Sequence, residues 1–338
     1  MVILPAAAAK KMTALELAFL DPKTIKDSQM DEVTHVVSKA FQDFNTSIGA
    51  PAEVYEEEFG HPEMGPAIIQ SICKSHEAYA VVADGGAGKI VGVSFVDVHA
   101  KGSRVACLGP VSSIAPGAGK KSFVAACAYA EELGFSTLVL MQIAANSRSF
   151  SLYAKLGFKT KHTCQYIGGF LEAPADGSLS SPPAPSGVTL KDMVAGDVEE
   201  CAELFLEAHG KRCGWDRRAD ITGCLGSGAP FPMLVARDAD GKVVGYTTGF
   251  YIMGHTVAKS QDIFCDMFRE SSKLHQQAAL PCPRFHCPVE FTGLLSWALA
   301  QKGLKIFRAT ILMARGHYEH TPWQDVIGHV VAPSISGY

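Results

Sequence analysis

The feature that most limits what this chain can become is an internal repeat. Val81-Val-Ala-Asp-Gly-Gly-Ala-Gly-Lys-Ile-Val-Gly92 aligns without a gap on Leu234-Val-Ala-Arg-Asp-Ala-Asp-Gly-Lys-Val-Val-Gly245. The two share the valine-alanine pair, the Gly-Lys of the turn and the closing Val-Gly. In the first copy, Ala78 to Ala83 and Lys89 to Val98 are rich in Val, Ile and Phe and flank a turn that needs positive φ, which predicts a β-hairpin. Upstream, Val33, Val36, Val37, Ala40 and Phe41 recur at helical spacing within Asp31 to Phe44, and Asp197 to His209 repeats that helix. Downstream, Leu295 to Met313 is expected to mirror Val124 to Gln142 as helix, glycine break and strand. Three elements in the same order predict a tandem duplication of one α/β unit.

Length and composition agree. A chain of 338 residues with 47% hydrophobic side chains supplies two cores. Glu172 to Gly187, dense in Pro, Ser and Gly, is the expected linker. The predicted boundaries are 12–171, 172–187 and 188–338. A second helix is predicted from Pro66 to Ser75, after the acidic run Glu56 to Glu58.

The formal charge of −4 and the lack of a Lys/Arg block argue against a nucleic-acid partner. No apolar run reaches the roughly 20 residues of a membrane span, so no membrane partner is expected. Ten cysteines are scattered, several within apolar runs, which is the pattern of reduced buried thiols. The expected setting is therefore cytoplasmic, with organellar import left open. Cys282-Pro-Arg-Phe-His286-Cys287 lacks a fourth ligand at standard spacing, so no metal is expected.

The chemistry is concentrated in Val105 to Phe158. It reads as a strand, a glycine-bearing turn, a small-residue helix, a second strand and a short capped helix. Pro110 has no N–H for a ladder, so its strand should be bulged or splayed. Gly117-Ala-Gly119-Lys-Lys-Ser122 combines close backbone approach with a helix N-terminus, the elements of a phosphate site. A Walker A loop would need glycine at Ile114 and Ser or Thr at Lys121. A dinucleotide fingerprint would need glycine at Ser122 and an acidic residue after Leu138 to Met141. Neither fits. Asn146 suits an N-cap and Gly157 a left-handed helix end.

Taken together, Leu108-Gly-Pro-Val111, Gly117-Ala-Gly119, Phe123 to Leu133, Thr137 to Gln142 and Asn146 to Phe158 resemble the GNAT superfamily of acyl-CoA-dependent N-acetyltransferases. The closing Asn146, Ser149, Leu152, Tyr153, Lys155, Leu156, Gly157 and Phe158 carry most of the likeness. Met313-Ala-Arg-Gly-His-Tyr318 and Pro333-Ser-Ile335 look like the second half of duplicated GNAT proteins. The resemblance implies an α/β (α+β) chain of two tandem GNAT folds, each a mixed, mostly antiparallel twisted sheet flanked by helices.

It also implies acetyl-CoA as co-substrate, a small-molecule amine as acceptor, and chemistry in the first domain. The implied cofactor contacts are Leu108, Val111, Gly117, Ala118, Gly119, Lys120, Lys121 and Asn146. Tyr153 is the implied general acid, although Phe150, Tyr153 and Ala154 also share a helical face that would suit a core. Phe44, Glu57 and His255 are candidate substrate contacts; Glu56, Glu58 and His209 are further candidates for the base. The usual Gln/Arg of the phosphate loop falls on Pro116 or Ile114, so that loop is one donor poorer. Two alternatives stay open: a non-catalytic acyl-CoA-binding or sensing protein, and a GNAT-fold enzyme of another reaction such as decarboxylation. The assembly is expected to be a monomer or homodimer.

Overall fold

The computed structural model describes residues 15–20, 24–50, 69, 78–84, 89–98, 104–172, 186–209, 216–226, 231–251, 254–318 and 327–328. The first half begins with strand β1 (Glu16–Leu20), helix α1 (Asp27–Ser47), and strands β2 (Ala78–Asp84), β3 (Ile90–Val98) and β4 (Val105–Ser113). Helix α2 (Ala118–Glu132), β5 (Thr137–Ile143), α3 (Ser147–Lys155) and β6 (Lys159–Gly168) complete it. The second half runs β7 (Thr189–Asp192), α4 (Val198–His209), α5 (Arg218–Gly226), β8 (Leu234–Arg237), β9 (Val243–Thr247) and β10 (Thr256–Ala258). It ends with α6 (Gln261–Gln277), β11 (Arg284–Pro288), α7 (Thr292–Ala300), β12 (Lys305–Gly316) and β13 (Ile327–Gly328).

Both copies of the repeated hairpin form as expected. β2 pairs antiparallel with β3, and β8 with β9, each with a register shift near the turn. The first turn, residues 85–88, the linker 173–185 and the predicted helix Pro66 to Ser75, apart from helical Ile69, lie outside the described residues.

The repeat alignment downstream needs correcting. In chain order, α6-β11-α7-β12 follows the pattern of α2-β5-α3-β6, so Leu295 to Met313 corresponds to α3 and β6 and not to α2 and β5. The counterpart of α2 is α6, whose sequence QDIFCDMFRESSKLHQQ has no glycine or alanine, against one glycine and five alanines in α2.

The halves are joined through one sheet. Its strand order is β1-β2-β3-β4-β5-β12-β6-β11, so β12 of the second half lies between β5 and β6 of the first. Antiparallel pairing runs along most of each strand, from Thr310↔Ile143 to Gly316↔Thr137 on one side of β12 and from Lys305↔Gly168 to Ala314↔Lys159 on the other. Because β11 adds to β6 as β12 adds to β5, the four strands β5, β12, β6 and β11 at one end of the sheet follow an approximately twofold order. The remaining strands form a second sheet, β13-β10-β9-β8-β7.

Cores sit on both faces of the large sheet. Val33, Val36, Val37 and Phe41 of α1 pack on Val82, Val93, Phe95, Ile143 and Tyr166. On the opposite face, Phe123, Ala126, Cys127 and Ala130 of α2 and Tyr153 of α3 pack on Ala106, Leu108, Leu138 and Leu140. Small residues let α2 lie close to the sheet: a Cβ on Gly92 would stand 2.8 Å from that of Ala118. Among the described residues, no helix is long and apolar enough to cross a membrane.

Candidate active site

The site grows out of one interruption in the large sheet. β4 and β5 are parallel neighbours, but they pair only where Val105, Ala106 and Cys107 meet Thr137, Leu138 and Val139. Beyond those residues the strands continue without pairing to each other, Leu108 to Ser113 on one side and Leu140 to Ile143 on the other. The β3–β4 register supplies the reason. Val96 faces Leu108 and Ser94 faces Val111, so Gly109 and Pro110 together oppose Phe95 as a bulge. Gly109 has φ of 134° and its bond to Pro110 is cis. A bulge turns the strand away from its neighbour and leaves backbone N–H and C=O groups along β4 without ladder partners. The splay predicted from Pro110 is thus present.

Helix α2 begins at the open end of this gap. Gly117 is its N-cap, in the left-handed region at φ 82°, and no side chain caps the first turn. First-turn N–H groups of a helix have no intrahelical acceptors. Ala118 is buried, its methyl packed against Gly92, whereas Gly119 is half-buried and Gly117 and Lys120 are exposed. The Lys121 ammonium donates to the Leu15 carbonyl beside β1, so it is turned toward the sheet edge. A groove of about 440 Å³ opens from Gly117, Lys120 and Lys121 and continues along Val124, Ala125, Ala128 and Leu17.

Helix α3 follows β5 and packs beside α2. Asn146 caps it, its Oδ1 accepting from Ser149 N at 3.0 Å. Gly157 ends it at φ 87°, with Phe158 N donating to Tyr153 O at 3.1 Å. Arg315 of β12 fastens this end, bonding Leu156 O at 3.2 Å and Glu131 of α2 at 2.6 Å. Tyr153 is only 1% exposed. Its ring lies 4.8 Å from Phe123 and 6.2 Å from Phe158. Burial pushes its phenol well above the ordinary tyrosine range, with a hydrogen bond to Ser149 opposing that shift. The phenol is therefore protonated at neutral pH.

The predicted residues do not all meet at the gap. Leu108, fully buried, and half-buried Val111 belong to its β4 wall and pack in the Tyr153 cluster. Phe44 lies on the other face, half-buried at the end of α1. Glu56, Glu57 and Glu58, and the side chain of His209, lie outside the described residues. His255 sits within the second half, 2% exposed. Its Nε2 is 3.0 Å from Tyr246 Oη and its Nδ1 3.2 Å from Thr248 Oγ1. Both ring nitrogens are thus engaged inside that core.

Three polar residues outside that set are also buried, Asn45 on α1, Ser112 on β4 and Gln142 on β5. Asn45 and Gln142 are fully buried, and Ser112 nearly so, and none of their side-chain N or O atoms has a hydrogen-bond partner. Gln142 is a polar residue in the otherwise apolar run Leu-Val-Leu-Met-Gln-Ile, whereas Asn45 and Ser112 have polar sequence neighbours and carry no such signal.

The corresponding place in the second half is filled. β10 does not pair with β11; its outer neighbour is β13. Helix α6 is capped by the Ser260 hydroxyl, which accepts from Ile263 N at 3.3 Å. Phe250, Phe264, Phe268 and Phe285 pack edge to face, with centroids 5.0 to 5.5 Å apart along the closest pairs. Among the described residues, no group of three or more His, Cys, Asp or Glu side chains is placed to hold a metal.

Searches by sequence match no known family and no curated protein. Solved structures do match. A Pyrococcus horikoshii protein assigned as an acetyltransferase superposes with a TM-score of 0.63 at 13% identity, over 96% of this chain and 96% of that one. A tandem GNAT protein from the clavulanic acid biosynthesis pathway gives 0.60 at 13%, over 91% of this chain and 99% of that one. A GCN5-related N-acetyltransferase from Sphaerobacter thermophilus gives 0.57 at 14%, over 91% and 97%. At such identities the likeness is one of fold. Two of these solved proteins are named as GNAT-type and one of them as a tandem GNAT protein, the superpositions run over nine-tenths or more of this chain, and the chain has the tandem GNAT fold.

Proposed function

We propose that the first half binds acetyl-CoA in the gap between β4 and β5 and transfers its acetyl group to the amine of a small molecule. The observation that carries this is the uncapped N-terminus of α2 at the mouth of a gap lined by unpaired β4 backbone. Free N–H groups and a positive dipole end suit a pyrophosphate. The exposed Lys120 adds a cation there. The second half offers a capped helix and an aromatic-filled interior at the equivalent place, which favours chemistry in the first half.

In this scheme the acceptor amine attacks the thioester carbonyl carbon. The carbonyl oxygen gains negative charge and is stabilised by backbone N–H groups of the β4 bulge. The C–S bond then breaks, and the departing thiolate takes the Tyr153 proton. The amine releases its own proton to a base, for which Glu57 is the retained candidate. His255 is not favoured, since Tyr246 and Thr248 occupy its ring nitrogens. Half-buried Phe44 is the candidate acceptor contact on the α1 side. A cytoplasmic setting suits the buried thiols of Cys127, Cys164 and Cys201, none of which is in a disulfide.

The test mixes the full chain with acetyl-CoA, an amine panel and a thiol reagent. Thiol release with at least one amine is expected, together with a fall of about 10²-fold or more in kcat for Tyr153→Phe. No release with any amine would overturn the catalytic assignment. The burial of Tyr153 favours a second reading, a non-catalytic acyl-CoA-binding protein; tight CoA binding without turnover would establish it. Turnover without acetyl-CoA would point to another reaction on the same fold.

A further inference from the structure

We infer that Gln142 is a positioning residue for the arm of the acyl donor, hydrogen-bonding a secondary amide of that arm from the β5 side of the gap. The inference rests on the acyl-CoA reading above and goes beyond it by naming a side-chain contact.

Gln142 and Thr137 are the polar residues of β5. The Thr137 hydroxyl donates to the His317 carbonyl at 2.9 Å. Gln142 is fully buried, yet neither Nε2 nor Oε1 has a partner. A buried carboxamide that satisfies none of its hydrogen bonds carries its full desolvation penalty, and an apolar side chain of the same size would avoid it. Its place in the sheet says what removes that penalty. β5 pairs with β12 without a register shift through this stretch, Gln142 facing Ile311, so side chains alternate regularly along it. Leu138 and Leu140 pack with Leu108, Phe123 and Tyr153, and Gln142 is the next residue on that face. It also lies three residues past Val139, the last β5 residue paired to β4. The orphan amide thus belongs to the wall that diverges from β4, on the Tyr153 side.

The chemistry of the ligand follows from the two walls. Unpaired β4 backbone offers alternating N–H and C=O groups, which an extended arm bearing secondary amides can pair with as an added strand would. A free primary amide opposite presents one donor edge and one acceptor, complementary to a secondary amide. A pantetheine arm meets both requirements; a nucleotide or a simple hydrocarbon chain does not.

The experiment uses the full chain and its variants Gln142→Leu and Gln142→Met, titrated with CoA, with pantetheine and with adenosine 3′,5′-bisphosphate. Both variants are expected to bind CoA and pantetheine about tenfold more weakly. Binding of the bisphosphate should be unchanged, and the melting temperature equal to or above that of the unaltered protein. If the unaltered protein binds CoA and both variants bind it equally well, the inference is wrong and the acyl-CoA reading stands. Equal weakening toward all three ligands with lowered melting would mark a structural role and also overturn it. If the unaltered protein binds neither CoA nor pantetheine, the acyl-CoA reading fails and takes this inference with it.

Discussion

Gly92→Ala should loosen the donor site without touching it. Gly92 lies on β3 beneath the first turn of α2, and a Cβ there would stand 2.8 Å from Ala118 Cβ, 3.0 Å from its carbonyl carbon and 3.2 Å from its carbonyl oxygen. None of these atoms can swing aside, because two belong to backbone and the third is fixed to it. Restoring a contact of about 3.5 Å requires the helix start to retreat by roughly 0.7 Å. Overpacking of this kind costs about 1–3 kcal/mol, read as a fall of about 1–4 °C in melting temperature for a chain of this size. The same retreat moves the first-turn N–H groups of α2, and misplacement on that scale should weaken CoA binding by about tenfold. Calorimetric titration and a thermal scan measure both effects. Gly117→Ala is the comparison: its Cβ would meet nothing within 4 Å, but φ of 82° strains it, so only a backbone penalty of about 1–2 kcal/mol applies. Gly92→Ala combined with Ala118→Gly should recover part of the loss, because the nearest clash is gone. Unchanged melting and CoA affinity in the single variant would refute the close-approach argument.

Asn146→Ala removes the bond to Ser149 N and should cost about 1 kcal/mol in chemical denaturation; no change in midpoint would show that the α3 cap contributes nothing. Burial raises the thiols of Cys127, Cys201, Cys265 and Cys287 from 9.0 to about 12. Folded pKa values above the unfolded value mean that stability is complete below pH 9 and falls as pH rises toward 12. The slope is about 1.4 kcal/mol per thiol per pH unit, so melting should drop steeply between pH 9 and 10, on the order of 5 kcal/mol in all. Cys127→Ala should remove roughly a quarter of that drop, and a flat profile would sink the assignment.

What was legible in the sequence was local. Pro110 disrupts a ladder by its own chemistry, and Asn146 and Gly157 bound a helix through their own side chain or lack of one, so the splay and α3 could be read directly. The placement of β12 could not. It pairs with β5 and β6 across more than a hundred residues of chain, and its apolar pattern suits any central strand. The downstream repeat is hidden for a related reason: α6 keeps the position of α2 but has no glycine or alanine, while the glycine break before β12 imitates the one before β5. Gln142 is visible as a polar residue in an apolar run, but a strand buried on both faces shows no alternation from which to read the face it occupies or the partner it lacks.

The two halves also show how a duplicated fold comes to carry one candidate site. Both retain a helix packed on the strands, but α2 begins on a glycine with no side-chain cap, whereas α6 begins on Ser260, whose hydroxyl accepts from Ile263 N. Beside α2 the strands part and leave Gln142 without a partner; beside α6 four phenylalanines fill the interior and β13 covers β10. Each change in the second half replaces an unsatisfied group or a space with a packed or bonded one, so it stabilises that half while removing what a ligand would bind. The exchanged strand β12 then links the two. Through Arg315 it holds Leu156 at the end of α3 and Glu131 at the end of α2, so the filled half braces the elements that frame the open one.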